Sequence, residues 1–292
     1  ATRIRAGARR FLGPTAEDEM RALLDDPATT PARRAAIDDR LAMLPEGDRR
    51  PGVGLRADGV PDIVWHAIPG GEVRLEIEAK GLWKRLCGRP SFRVEPFHIA
   101  RYPVTVAQWR PFVAAPDGYD ALVRQPLGWD PAPQRGHDNQ PATLLTWIEA
   151  MAYCRWLSGL LGYPVRLPTE WEWQQAASGG EPANDYPWGD WQEGRANTYE
   201  SRLGRLTAVG LHPAGQSAQG VLDLAGNVWE WCLNESDAPK KVAEGGDARR
   251  VVRGGSWIYV RDFARCAYRH HVHPGARFDD VGFRMWCDSP IF

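Results

Sequence analysis

The sequence has no CxxC pair and no metal-type cysteine spacing: Cys87, Cys154, Cys232, Cys266 and Cys287 are scattered and odd in number. That excludes a disulfide framework and points to a reduced, cytoplasmic setting. Nor is there an excess of one charge. With 36 basic and 37 acidic residues the formal net charge is −1, too little positive field for a phosphate backbone, so nucleic acid is not an expected partner. No apolar run approaches the ~20 residues that cross a bilayer. The opening Ala1-Thr2-Arg3-Ile4-Arg5 lacks the apolar centre of a signal peptide. No membrane association is expected.

What the sequence does have is 24 prolines, 30 glycines and 14 tryptophans in 292 residues. These imply many turns pinned by large aromatic side chains rather than long regular elements. The length suits one large domain with a small appendage. Residues 16–45 read as two helices, Glu17 to Leu24 and Pro31 to Leu44, the second with Ala36, Ile37, Leu41 and Leu44 at helical spacing. The turn-forming run Gly47-Asp48-Arg49-Arg50-Pro51-Gly52 ends this segment. The expected division is therefore a helical appendage and linker over 1–52 and the main domain over 53–292.

Short strands are expected at Ile63-Val64-Trp65, at the alternating run Val73 to Ile77, at Phe92-Arg93-Val94 and at Phe97-His98-Ile99. Helices are expected after Thr105, over Thr146 to Leu161, and from Thr169, where Glu172 completes a capping box, to about Ala177. Residues 178–220 read as an ordered loop held by Trp188 and Trp191.

Six strings carry a resemblance. Tyr102-Pro103-Val104-Thr105, Leu167-Pro168-Thr169-Glu170-Trp171-Glu172-Trp173 and Pro187-Trp188-Gly189 come first. Asp223-Leu224-Ala225-Gly226-Asn227-Val228-Trp229-Glu230-Trp231, Arg253-Gly254-Gly255-Ser256-Trp257 and Gly282-Phe283-Arg284 follow. In this order, across roughly residues 62–287, the chain resembles the sulfatase-modifying-factor family. The resemblance implies an α+β, C-type-lectin-like fold of the formylglycine-generating-enzyme type: small twisted antiparallel sheets, two main helices and much irregular ordered loop.

The family's enzymes oxidise a peptide cysteine to formylglycine with copper held by two cysteines five residues apart. Cys266 matches the second; Arg261 stands at the first. A guanidinium stays protonated and cannot replace a soft thiolate, so no copper and no oxidase activity are expected, and Cys266 reads as a small buried residue. A copper-dependent formylglycine-generating oxidase, or a degenerate relative acting on a peptide cysteine, is the alternative. An iron-dependent sulfoxide synthase in the family draws ligands from histidines of a preceding helical bundle, and residues 16–45 contain none. The resemblance further implies a structural calcium at Asp223, Gly226, Val228 and Glu230, with a second, weaker match at Asn197 and Thr198.

One branch is more similar still: the variable proteins of diversity-generating retroelements, whose last gene segment is scrambled at asparagine AAC codons. Ile258, Tyr259, Val260, Phe263, Tyr268, His270, His271, Val272, His273, Ala276, Phe278, Asp279 and Asp280 stand where such relatives carry runs of asparagine. Changes in the first two bases of AAC cannot yield Lys, Glu, Gln, Met or Trp, and none of these occurs at those positions. The resemblance implies a diversified surface for a protein or other macromolecular ligand. Between these residues, Ala264, Arg265, Ala267, Arg269, Pro274, Arg277, Gly282, Phe283 and Arg284 are expected to be framework. Aromatic residues mixed with His and Asp, without period, suit an exposed binding patch better than a core. His271 and His273 read alternatively as metal ligands but lack a completing carboxylate or thiol. Arg253, Arg269, Arg277 and Arg284 are expected in salt bridges and carbonyl hydrogen bonds. The N-terminal helices resemble segments that join this domain to bacterial effector or signalling modules.

Overall fold

A computed structural model describes residues 17–26, 28–44, 47–76, 90–242 and 244–290. Helices α1 (Glu17–Asp25) and α2 (Pro31–Ala42) form a hairpin. Thr30 caps α2, and Pro31, which has no N–H to lose, opens it. Met20, Leu24, Ile37 and Leu41 bury one another in a small apolar cluster of their own. The hairpin meets the rest of the chain through polar contacts. Arg205 pairs with Asp39 at 2.6 Å, and the Asn139 amide donates to the Asp38 carbonyl at 2.9 Å.

The main body begins with β1 (Trp65–Ile68), β2 (Gly71–Arg74), β3 (Ser91–Val94) and β4 (Phe97–Ala100). Strands were expected close to all four. However, the alternating run from Val73 is strand only to Arg74; Leu75 and Glu76 are irregular, and Ile77 lies outside the described residues. Three helices follow the expected starts: α3 (Val106–Ala114), α4 (Trp147–Leu161) and α5 (Glu170–Ser178). Each opens with a full capping box, from Thr105 and Gln108, Thr146 and Glu149, and Thr169 and Glu172. Each box satisfies two backbone donors that a helix start leaves free. Residues 178–220 contain no strand and only two short 3-10 turns, as the composition implies.

Six further strands complete the fold: β5 (Val165–Arg166), β6 (Trp229–Glu235), β7 (Arg250–Arg253), β8 (Arg269–Val272), β9 (Val281–Gly282) and β10 (Trp286–Cys287). One sheet has the order β1-β4-β10-β5, a second the order β8-β7-β6-β9, and β2 pairs with β3. All pairings are antiparallel except β6 with β9. The core between the sheets and α3 and α4 is aromatic. Trp109 stacks on Tyr153 with centroids 5.6 Å apart, and Phe283 meets both edge-on. Such pairs add favourable quadrupole geometry to their buried area. Among the described residues no helix is long and apolar enough to cross a membrane.

The candidate ligand-binding surface

The second sheet carries the site. Strand β6 is buried along nearly its whole length, and Trp229 at its start is 2% exposed. Over Trp229 lie Tyr259, Tyr268 and His270, with ring centroids 5.7, 6.1 and 5.6 Å away. Phe263 joins them, 5.2 Å from Tyr259 and 4.9 Å from Tyr268, and His271 stacks beside His270 at 5.3 Å. Residues distant in sequence therefore share one aromatic floor. The segment 278–280 is tied to it twice: the Trp229 N–H donates to the Asp280 carbonyl at 2.9 Å, and the Ser256 hydroxyl to the Asp280 carboxylate at 2.8 Å.

None of the thirteen singled-out positions is buried: Ile258, Tyr259, Val260, His270, His271, His273, Phe278 and Asp279 are exposed, and Phe263, Tyr268, Val272, Ala276 and Asp280 are half-buried. The intervening Ala264, Cys266, Pro274, Gly282, Phe283 and Arg284 are buried, while Arg265 and Ala267 are half-buried. One expectation needs amendment, because His270, His271 and Val272 belong to a regular strand, β8, on the edge of its sheet. Burial lowers the His270 pKa, with His271 and Arg249 adding to the effect, so this ring favours the neutral form. Burial raises that of Asp280 against the lowering effect of the Ser256 hydrogen bond.

The framework arginines are all engaged. Arg269 grips Glu170 at 2.9 and 3.0 Å, and Arg277 grips Glu149 at 2.7 and 3.1 Å. Arg253 donates to the Cys266 and Ala267 carbonyls at 3.0 and 3.1 Å, and to the Gln174 side chain. Arg284, wholly buried, clamps both oxygens of Glu230 at 2.6 Å. The histidines have protein partners as well: His271 Nε2 lies 2.9 Å from Arg249, and His273 Nε2 lies 3.0 Å from Asp247. Among the described residues no group of three or more His, Cys, Asp or Glu is placed to hold a metal ion.

Of the set expected to hold calcium, Asp223, Gly226, Val228 and Glu230, the oxygens of Asp223, Gly226 and Glu230 are bonded to protein partners in this arrangement and fit that ion poorly. Glu230 is already neutralised by Arg284 and accepts a further bond from the Trp173 indole at 2.6 Å. Asp223 accepts from the Gly210 N–H at 2.6 Å, and burial pushes its pKa up to about 6. The Gly226 carbonyl turns inward to the Val228 N–H at 2.9 Å. Calcium requires several unneutralised oxygens converging on one point. Asn197 and Thr198 are likewise occupied. The Asn197 amide donates to Arg205, Thr207 and Asn227, its oxygen accepts from Ser201, and the Thr198 hydroxyl donates to Glu200. This is a close-packed joint rather than a cage: a Cβ on Gly226 would lie 2.3 Å from the Asn197 carbonyl oxygen, so only glycine fits.

Copper fares no better. Cys266 is 2% exposed, and burial pushes its thiol up to about 12, far from the thiolate that copper(I) needs. Arg261 is exposed, its guanidinium 5.8 Å from the Trp191 ring centre.

This architecture is an α+β, C-type-lectin-like fold. Residues 56–288 match the sulfatase-modifying factor enzyme 1-like domain, and the chain belongs to that family. It is 37% identical over 162 residues to the serine/threonine-protein kinase pkn1 of Chlamydia pneumoniae, covering 51% of this chain and 24% of the kinase. It is 32% identical over 264 residues to the hercynine oxygenase of Mycolicibacterium smegmatis, covering 76% of this chain and 60% of that enzyme. The chain thus spans only part of the length of these relatives. Among solved structures, Treponema denticola variable protein 1 superposes with a TM-score of 0.60 at 20% identity, over 78% of this chain and 96% of that one.

Two residues near the patch escaped sequence reasoning. Tyr199 and Glu200 touch the 259–261 backbone from a loop some sixty positions upstream, where no periodicity marks them.

Proposed function

We propose that this chain is a non-catalytic ligand-binding protein of the retroelement variable type, displaying a diversified C-terminal surface on a lectin-like scaffold. One observation carries the reading: thirteen positions spread over 258–280 are all at least partly exposed, while the framework residues between them are buried or bonded. Random substitution is costly in a close-packed core and is tolerated where a side chain keeps a face open to solvent, as all thirteen do, although Phe263, Tyr268 and Val272 also pack against the core. The ligand is a protein or another macromolecule. Two clefts elsewhere are lined by residues 70–72 and 91–96 and by residues around 42–62, 107 and 138–139, apart from this face, and exposed aromatic side chains spread over 258–280 suit a large partner.

The relatives include enzymes, so catalysis is the competing reading: a copper-dependent oxidase acting on a peptide cysteine. Arg261 in place of a thiolate and the inert Cys266 speak against it. The helices within residues 16–45 contain no histidine to join an iron site. The partial match to a kinase chain supports a signalling or effector module as partner of the N-terminal segment. The buried, unpaired state of Cys154, Cys232, Cys266 and Cys287 supports a reducing cytoplasm.

The test is a display library of the full chain with the thirteen positions randomised, compared with one randomised at the nine framework positions Ala264, Arg265, Ala267, Arg269, Pro274, Arg277, Gly282, Phe283 and Arg284. The first should stay largely protease-resistant and yield binders to an arbitrary probe such as egg-white lysozyme, while the second should lose resistance. Equal loss of folding in both libraries, or conversion of a cysteine peptide to an aldehyde by the copper-treated protein, would overturn the proposal.

A further inference from the structure

Ten large apolar side chains are exposed among the described residues, and the most exposed is Tyr199, at 66%. Met43, Leu55, Leu127, Leu160 and Val242 lie on separate elements, whereas Ile258, Tyr259, Val260 and Phe278 belong to the candidate surface. Tyr199 stands beside them. Its backbone N–H donates to the Tyr259 carbonyl at 2.9 Å. The next residue, Glu200, receives the Arg261 N–H on both carboxylate oxygens, at 3.0 and 3.1 Å. Thr198, fully buried, donates its hydroxyl to the same carboxylate at 2.7 Å. The 3-10 turn Tyr199–Ser201 is therefore clipped to the 259–261 backbone at two points and rooted in the core by a third.

Both clips reach 259–261 through backbone atoms of that segment. They survive whatever side chains occupy 258–260, so the position of Tyr199 does not depend on the diversified sequence. Tyr199 has only two side-chain torsions to fix on binding, which keeps the entropy cost of its large contact area low.

We infer that Tyr199 is a constant contact residue for protein ligands of this surface, held beside the diversified positions by Glu200, which acts as a positioning residue. This rests on the proposed binding function and extends it: specificity comes from the thirteen variable positions, and a shared part of the affinity comes from a residue outside them. The ligand it fits is a folded protein presenting an apolar patch, since Tyr199, Ile258, Tyr259 and Val260 are all exposed apolar side chains on two segments joined by the bond from the Tyr199 N–H to the Tyr259 carbonyl.

The test uses full-length clones selected against egg-white lysozyme from the thirteen-position library. Failure to recover any binder would refute the binding function itself. If binders are recovered, Tyr199→Ala should weaken most of them by about tenfold or more, whichever side chains they carry at 258–260. Leu160→Ala, which removes an exposed apolar side chain elsewhere, should leave affinity unchanged. Glu200→Ala should speed hydrogen exchange at the Arg261 amide and weaken the same clones, with the unfolding midpoint close to that of the parent. Binders indifferent to Tyr199→Ala, or a Glu200→Ala effect on binding without faster exchange at Arg261, would overturn the inference.

Discussion

The Glu230–Arg284 pair invites a double-mutant test because both side chains are fully buried and all their bonds are visible. Arg284 donates to both Glu230 oxygens and to the carbonyls of Ala100, Arg101 and Leu222, at 2.6 to 3.2 Å. Glu230→Leu leaves a buried guanidinium without its counter-charge, which costs about 3–5 kcal/mol. Arg284→Met leaves a buried carboxylate facing only the Trp173 indole, at a similar cost. The double variant Glu230→Leu with Arg284→Met removes both charges, so the uncompensated-charge penalty disappears. It still strands three carbonyls and the Trp173 indole N–H, at about 1 kcal/mol or more each. The double variant should therefore lose about 4–6 kcal/mol, short of the roughly 6–10 from adding the single losses. Urea unfolding of the four proteins measures each term. Single losses that add to the double loss within about 0.5 kcal/mol would refute this account of the pair. The same reasoning predicts that calcium will not raise the wild-type midpoint relative to a chelator, since Arg284 already fills the cation's role; a rise would show that the guanidinium gives way.

Trp229→Ala removes the floor beneath Tyr259, Tyr268 and His270, and should cost about 3–5 kcal/mol. At about 2–4 °C per kcal/mol for a domain of this size, thermal unfolding should begin well below wild type; a midpoint within about 3 °C would contradict the buried-anchor reading. Cys266→Ser should leave the fold intact and remove no catalytic activity, and tight stoichiometric copper(I) binding by the wild type would count against this. Burial pushes the pKa of Asp38 up to about 7 against the pull of Arg50, with Asp48, Asp223 and Asp39 adding to the rise, and pushes that of Asp223 up to about 6. The folded state thus binds these protons more tightly than the unfolded chain. Their stabilising contribution is complete below the unfolded value near ~4 and is lost as pH rises through 6 to 7. Asp38→Asn should flatten stability measured between pH 5 and pH 8, and an unchanged slope would rule Asp38 out as its source.

Helices α3, α4 and α5 were legible because their capping residues are local signals: Thr169 and Glu172 meet in space as their spacing implies. The further helical stretch over 116–127 was not, and neither of its two parts has a side-chain cap hydrogen bond to mark it. Strands β6 and β7 were not, for a physical reason. Residues Trp229 to Asn234 are buried on both faces, as are all four residues of β7, so neither strand alternates. Arg250 and Arg253, which look like surface residues in sequence, lie over Trp147 and Trp173 with guanidinium-to-ring distances of 4.1 and 5.5 Å. The surface residues at 258–280 were identifiable from residue types and resemblance. The protein partners of Asp223 and Glu230, the Gly210 amide and Arg284, were not visible because they are distant in sequence. Tyr199 and Glu200 went unnoticed for the same reason.

The arginines along the C-terminal segment carry a consequence for how variation accumulates. Arg253 is fastened near α5, Arg269 to Glu170 at the start of α5, Arg277 to Glu149 on α4, and Arg284 to Glu230 on β6. The segment is thus moored to α5 at Arg253 and Arg269, to α4 at Arg277 and to β6 at Arg284. A substitution between two moorings leaves the backbone beyond them anchored, so the coupling that remains runs through side-chain contact. Changes at Tyr259, Tyr268 and His270, which share Trp229, should therefore combine non-additively in stability, whereas changes at positions with no shared neighbour should add, and the number of usable surfaces grows as a product only across the uncoupled positions.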